Sequence, residues 1–160
     1  MLTVEIPGDF NGGVRLSLAH LVLDYNGTLA EDGALILGVP ERLVQLAEHM
    51  TIHVITADTH GSAAQKLAGL PVSLHILPPC AQSEAKAAFV RELGANLCVA
   101  IGNGRNDATM LQETALGLVV IQAEGAAQIT VAAADIVSKS IEDALDLLLH
   151  PKRLIATLRN

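Results

Sequence analysis

Tryptophan is absent from this sequence, and one Tyr and two Phe are its only aromatic residues. The core must therefore be aliphatic, built from the Leu, Val, Ile and Ala that make up most of the 51% hydrophobic content. Cations are also scarce: 10 Lys and Arg against 17 Asp and Glu leave a formal charge of -7. A nucleic-acid partner needs clustered Lys and Arg to displace counterions from phosphates, so this balance argues against one. Acidic charge also mildly repels anionic substrates, so any phosphate site needs local correction by a lysine, a helix N-terminus or a metal. No apolar run approaches the ~18 residues that would span a bilayer, because Gln122 and Glu124 interrupt the longest candidates. The start, "MLTVEIPGDF", lacks the basic end and apolar stretch of a signal peptide, so a cytoplasmic protein with no membrane partner is expected. Cys80 and Cys98 are isolated and lack CxxC spacing, and in a reducing compartment they read as small apolar or loop residues.

The 160 residues suffice for one domain with a full core, expected over 1–160, with a β lead-in at 1–18 and the core at 19–160. The lead-in reads as an N-terminal β-hairpin, "LTVEI" and "VRLSL", around a loop containing Asn11, Gly12 and Gly13. The chain then alternates. Short buried strands are predicted at 20–24, 51–56, 72–77, 97–101, 117–121 and 135–137. Helices are predicted near 40–50, 60–69, 83–93, 106–115, 124–133, 140–149 and from 151 to the end. In the helix at 83–93, Ser83 can cap, Ala85, Ala88, Phe89 and Leu93 form an apolar stripe, and Gly94 terminates. This alternation implies right-handed βαβ crossovers, hence an α/β, three-layer, doubly wound and mostly parallel sheet. In such sheets ligands bind beyond the carboxyl ends of the strands.

Candidate chemistry collects on that edge. Asp24 ends the first core strand in "LVLDYNGTL", Thr56 ends the second, and "GNGRND" (102–107) follows the strand at 97–101. Lys86, in the first turn of the helix at 83–93 and off its apolar stripe, joins the same edge. Taken singly, each residue has an ordinary structural explanation. "DYNGT" is a plausible type I′ hairpin turn, Thr56 a β-branched strand residue, Lys86 a solvated charge, and Asp107 an acid favoured at a helix start. Together, in this order and at these strand ends, they point to a phosphate site. In-line displacement at phosphorus asks mainly for positioning and for neutralisation of charge spread over oxygens. A carboxylate, a hydroxyl, a lysine, exposed backbone N–H groups and Mg²⁺ supply both. Gly27, Gly102 and Gly104 let the backbone turn and approach an anion.

The order of these elements resembles the haloacid dehalogenase (HAD) superfamily, and "DYNGTL" with "GNGRND" looks most like its P-type ATPase branch, here without membrane segments. The resemblance runs from about residue 20 to 140 and implies a Rossmann-like HAD fold. It implies Asp24 as a nucleophile that becomes an aspartyl-phosphate, with Thr56 and Lys86 as the phosphate clamp. Tyr25, Asn26 and Ala57 fall at further phosphate-binding positions. Mg²⁺ is the implied cofactor, held by Asp24, the Asn26 carbonyl and Asn103. Asp107 and Asn106 would support the metal, its waters or Lys86, while Thr28, Gly102 and Gly104 complete the loops.

Two positions depart from the pattern. The usual phosphatase has an Asp two residues after the nucleophile, which protonates the leaving group and then activates water. Asn26 cannot exchange a proton near neutrality, and losing a general acid/base costs ~10²–10⁴-fold. Asn103 binds Mg²⁺ through a neutral carbonyl, more weakly than a carboxylate would. Only about 27 residues separate Thr28 from Thr56, too few for a nucleotide-binding domain or a large cap, although 29–39 could form a small flap. An uncapped site admits bulky substrates, either a phosphorylated small molecule or a phosphoprotein, and a homo-oligomer could cover it. The expected function is a slow Mg²⁺-dependent phosphohydrolase. The alternative is a non-catalytic phosphate- or metal-binding or regulatory protein, and a receiver domain is disfavoured because Asp24 comes too early in the strand order.

Overall fold

The computed structural model describes residues 1–9, 12–57 and 61–160. Asn11 of the predicted hairpin loop and His60 at the predicted start of the second helix lie outside the described residues. The elements run β1 (Leu2–Ile6), β2 (Val14–Leu18), β3 (His20–Asp24), β4 (Ala30–Glu31), β5 (Ala34–Leu35), α1 (Val39–Leu46), β6 (Thr51–Thr56), α2 (Ser62–Leu67) and β7 (Ser73–Ile76). They continue as α3 (Gln82–Leu93), β8 (Cys98–Gly102), α4 (Ala108–Glu113), β9 (Leu116–Val120), α5 (Gln128–Ala133), β10 (Ile136–Ser138), α6 (Ile141–Leu149) and α7 (Pro151–Leu158).

Six strands form one parallel sheet in the order β10-β9-β8-β3-β6-β7. The chain starts in the middle with β3, builds outward through β6 and β7, then crosses to β8 and builds the other way. The reversal therefore lies between β3 and β8, whose register pairs Leu23 with Ile101. Asp24 and Gly102, the next residue of each strand, flank the crevice where a doubly wound sheet binds ligands.

Side-chain alternation fills the two faces with different partners. Leu21, Leu23, Val54 and Ile101 join one buried cluster with Leu43 of α1, Leu145 of α6, Leu154 of α7 and the inward residues of the β1–β2 hairpin. Val22, Ile55 and Ala100 join the other with Val90 of α3 and Met110 and Leu111 of α4. Each fully buried Leu, Ile or Val contributes roughly 1.5–3 kcal/mol relative to exposure, and these aliphatic side chains replace the missing aromatics. The short antiparallel pair β4–β5 lies within the flap predicted at 29–39.

Helix α3 differs from its prediction in two ways. The chain enters it at Ala81, left-handed at φ 51° and ψ 38° with no side-chain cap, so Ser83 lies inside the helix and its hydroxyl pairs instead with Thr109 at 3.3 Å. Its most buried positions are Lys86, Ala87 and Val90, whereas Ala85 and Ala88 are half-buried. The buried face is rotated because Lys86, expected off the stripe, is drawn inward by carboxylates. Gly94 ends the helix at φ 90°, as expected.

A chain of three histidines crosses β3, β6 and β7 on the α3 face. His20 Nδ1 lies 3.2 Å from His53 Nε2, and His53 Nδ1 lies 3.2 Å from His75 Nε2. Phe89 of α3 packs edge-on against His53 with ring centroids 5.5 Å apart. Burial first, then the neighbouring His20 and His75, pushes the His53 pKa down to about 4 from the ordinary 6.5. The unfolded chain thus binds a proton that folded His53 refuses. The associated stability is fully present above pH 6.5 and is lost as the pH falls towards 4. His53→Phe should therefore flatten the acid limb of stability measured by urea unfolding between those pH values. An unchanged acid limb would show that His53 does not titrate on unfolding.

Candidate active site

The register of the sheet brings the predicted residues to one place. Asp24 pairs with Ile55, so Thr56 lies one residue further along the adjacent strand. Thr56 is buried, and Ala57 follows it at the rim. Lys86, 2% exposed, reaches in from α3. Its Nζ donates to Asp24 Oδ1 and Asp107 Oδ1, each at 2.7 Å, and to Asn106 Oδ1 at 3.2 Å. A lysine buried without such partners would incur a large desolvation cost. Here the two carboxylates outweigh burial and raise its pKa above the ordinary value.

Asp107 is fully buried and organises the last loop. Its Oδ2 accepts the backbone N–H groups of Asn103 and Gly104 at 3.0 and 2.9 Å while its Oδ1 takes Lys86. Of the roles expected for it, support of Lys86 is the contact present. A Cβ on Gly102 would meet the Asp107 carboxyl at 2.5 Å, so glycine is required there by close approach. Gly27, at φ 78°, meets the same kind of limit, since a Cβ would lie 2.4 Å from the Asn103 amide. "DYNGT" is therefore a loop leaving a central strand that pairs in parallel on both sides, and Asn-Gly seats it against Asn103. The side chain of Tyr25 is buried and its hydroxyl donates to the Gly33 carbonyl at 3.3 Å, beneath the flap. Asn26 is exposed at the mouth.

One hydroxyl faces two acceptors. Thr28 Oγ1 lies 3.3 Å from Asp24 Oδ2 and 3.2 Å from Asn103 Oδ1, but it has a single hydrogen to share. Two hard oxygen ligands thus converge with less positive charge than they can accept, which suits a small divalent cation. The same deficit acts on Asp24 itself. Burial first, then the charge of Asp107, pushes its pKa up to about 7 from the ordinary 3.8, against the opposing pull of Lys86 and Thr28.

Sequence reasoning missed the residues that lock these loops. Gln122 Nε2 donates to the Gly27 and Thr28 carbonyls at 3.1 and 3.0 Å, and its Oε1 accepts the Ile141 N–H of α6 at 2.6 Å. Asn103 Nδ2 donates to the Gly125 carbonyl, Thr130 to that of Gly104, and Asn106 to Gln82. Gln122 follows β9 on the carboxyl edge, so the rule that located Asp24 would have located it too.

Solved structures share this architecture. The chain superposes with a TM-score of 0.71 on a 3-deoxy-D-manno-octulosonate 8-phosphate phosphatase from Vibrio cholerae, at 16% identity over 96% of this chain and 97% of that one. The corresponding phosphatase of Moraxella catarrhalis, determined with magnesium, phosphate and KDO, gives 0.68 at 17% identity over 89% and 94%. A HAD superfamily (subfamily III A) hydrolase of Legionella pneumophila gives 0.70 at 16% over 88% and 87%. The chain has the HAD fold. By sequence it belongs with two uncharacterized proteins of Methanocaldococcus jannaschii. MJ0073 is 53% identical over 62 residues, covering 39% of this chain and 67% of that protein. MJ0072 is 49% identical over 39 residues, covering 24% and 89%. No family model matches the sequence. Among the described residues no helix is long and apolar enough to cross a membrane.

A cation bound at this edge through Asp24 would compete with the Asp24 proton for the same oxygens. Folded Asp24 holds a proton that the unfolded chain releases, so its contribution to stability is fully present below pH 3.8 and lost as the pH rises through about 7. Mg²⁺ binding should accordingly tighten as the pH rises through that value and should release a fraction of a proton. Calorimetry in buffers of different ionisation enthalpy measures that release, and Asp24→Asn should abolish it. Binding without proton release, or binding retained by Asp24→Asn, would place the ion elsewhere.

Proposed function

We propose that this protein is a Mg²⁺-dependent phosphohydrolase working through an aspartyl-phosphate on Asp24, with turnover held low by Asn26. The observation that carries the reading is the buried group Asp24, Lys86 and Asp107, meeting Thr28 and Asn103 at the reversal point of the sheet. The phosphatase and hydrolase neighbours support it, including the Moraxella enzyme with its magnesium and phosphate. Asp24, Asn103 and the Asn26 carbonyl would hold Mg²⁺, which when bound neutralises charge on the phosphoryl oxygens and on Asp24.

In the first half-reaction a deprotonated Asp24 oxygen attacks phosphorus and the bond to the leaving oxygen breaks. Lys86 and Thr56 hold the phosphoryl oxygens while charge moves across them. In the second, water attacks the same phosphorus, the bond to Asp24 breaks, and phosphate leaves. Both halves need a proton moved, to the leaving oxygen and then from water. Asn26 occupies the exposed position from which a carboxylate would move it, and its amide does neither. Without a large cap, the substrate is a phosphorylated small molecule or an exposed phosphoprotein residue. A second copy of the chain would cover the mouth, burying Leu37, which is 90% exposed within the flap.

A second reading, a phosphate- or metal-binding protein that has lost turnover, is favoured by Asn26 and Asn103 specifically. Both readings predict Mg²⁺ and phosphate binding, and kinetics separates them. Asn26→Asp should raise hydrolysis of a generic aryl phosphate by about ten-fold or more, since it restores proton transfer in both halves. Asp24→Asn in that background should remove the gain. Peptide mass spectrometry must accompany the assay, because deamidation at Asn26-Gly27 would imitate the mutation. If intact Asn26→Asp protein binds Mg²⁺ yet hydrolyses several esters no faster than the parent, the binding-protein reading replaces the enzyme.

A further inference from the structure

We infer that Arg105 makes the cleft beside Asn106 a subsite for a second acidic group, so that preferred substrates are phosphate esters whose leaving group carries a carboxylate or another phosphate. This inference rests on the proposed phosphohydrolase.

The cleft has a volume of about 540 Å³ and is lined by Ser83, Gly104, Arg105, Asn106, Thr109 and Ile129 among others. Its lining contains no carboxylate, in a chain with 17 acidic residues, and Arg105 is its one charged side chain. The other arginines seen beside an acid are already committed: Arg15 pairs with Glu5, Arg42 with Asp146, and Arg91 with Glu84 and Glu113. Arg105 is exposed and makes no ion pair among the described residues. The lysine next door cannot serve a second anion, because Lys86 already lies between Asp24 and Asp107. Arg105 is thus an uncommitted cation within the 102–107 loop itself.

One residue of the cleft, Asn106, connects it to the candidate nucleophile through Lys86. Asn106 lines the cleft, its Oδ1 meets Lys86 Nζ at 3.2 Å, and that Nζ meets Asp24 Oδ1 at 2.7 Å. Two hydrogen bonds therefore separate Asn106, on the cleft wall, from a carboxylate oxygen of the candidate nucleophile. A guanidinium binds a planar carboxylate through two parallel N–H donors, and binds phosphate in the same way. The Ser83 and Thr109 hydroxyls, 3.3 Å apart, offer further polar contacts, and exposed Ile129 offers an apolar surface to the body of the group. The overall charge of -7 repels a doubly acidic ester, which makes a dedicated cation necessary for such a substrate.

The test compares phenyl phosphate, carboxyphenyl phosphate and an aryl bisphosphate in the presence of Mg²⁺, by NMR titration and by steady-state kinetics on the Asn26→Asp background. With Arg105 present, each of the two acidic esters should bind about ten-fold tighter than phenyl phosphate. Along Arg105→Lys, Arg105→Ala and Arg105→Glu the preference should shrink, vanish and reverse. That order follows charge, and a purely structural role for Arg105 would not produce it. Preference for the bisphosphate alone would narrow the second group to phosphate, and for the carboxylate alone to carboxylate. If all three esters perturb the Asp24 loop with the same ratio of affinities in every variant, the subsite is overturned and the phosphohydrolase stands. If no ester perturbs that loop, the phosphohydrolase falls and this inference with it.

Discussion

Lys86 sits between two buried carboxylates, and the arrangement of the three segments meeting there depends on that contact. Its ammonium joins the end of β3, through Asp24, to the loop after β8, through Asp107. Breaking a buried ion pair by removing one partner typically costs about 3–5 kcal/mol, because the remaining charges lose their compensation. Here two carboxylates would be left facing each other. The rotation of α3 follows from the same contact: its first turn must present Lys86 inward, and the chain adopts a left-handed Ala81 to enter the helix early enough. One lysine against two acids still leaves the group short of positive charge. Burial first, then that shortage, raises the Asp24 pKa; the Thr28 hydrogen stays shared, and a divalent cation is the natural complement.

Close packing of the loops converts this electrostatic demand into fixed geometry. Gly27 lies against the Asn103 amide and Gly102 against the Asp107 carboxyl, so a methyl group at either would push the site apart. Gln122 then ties the loop after Asp24 to the start of α6, satisfying two carbonyls and one N–H with a single amide. Positioning of this kind is most of what phosphoryl transfer asks of a protein, and it does not depend on the residue at 26. On the proposed mechanism, an Asn at that position leaves the scaffold intact while removing proton transfer.

The legible parts of the sequence were those set by local pattern. The hairpin strands Leu2–Ile6 and Val14–Leu18 and the strands at 20–24 and 51–56 lie where alternation and β-branched content placed them. Asp24, Thr56, Lys86 and the 102–107 loop were legible because strand ends in a parallel sheet share an edge. Features set by tertiary contact were not. Ser83 has the composition of a cap, but the helix start is decided by where Lys86 must point. The histidine chain depends on the diagonal register of three strands, which no single strand encodes. Gln122 follows a strand on the same edge, but nothing local marks which loop it holds, since the Gly27 and Thr28 carbonyls lie more than ninety positions away in the chain.

The central claim is that Asp24 is a nucleophile. Incubating freshly purified protein with a reactive acyl phosphate and Mg²⁺, then measuring intact and peptide masses under acid quench, tests it directly. The account predicts a mass gain of one phosphoryl group on the peptide containing Asp24, persisting because Asn26 slows its hydrolysis, and absent from Asp24→Asn. A protein that binds Mg²⁺ and phosphate under these conditions but is never labelled, or is labelled equally when Asp24 is Asn, would contradict it.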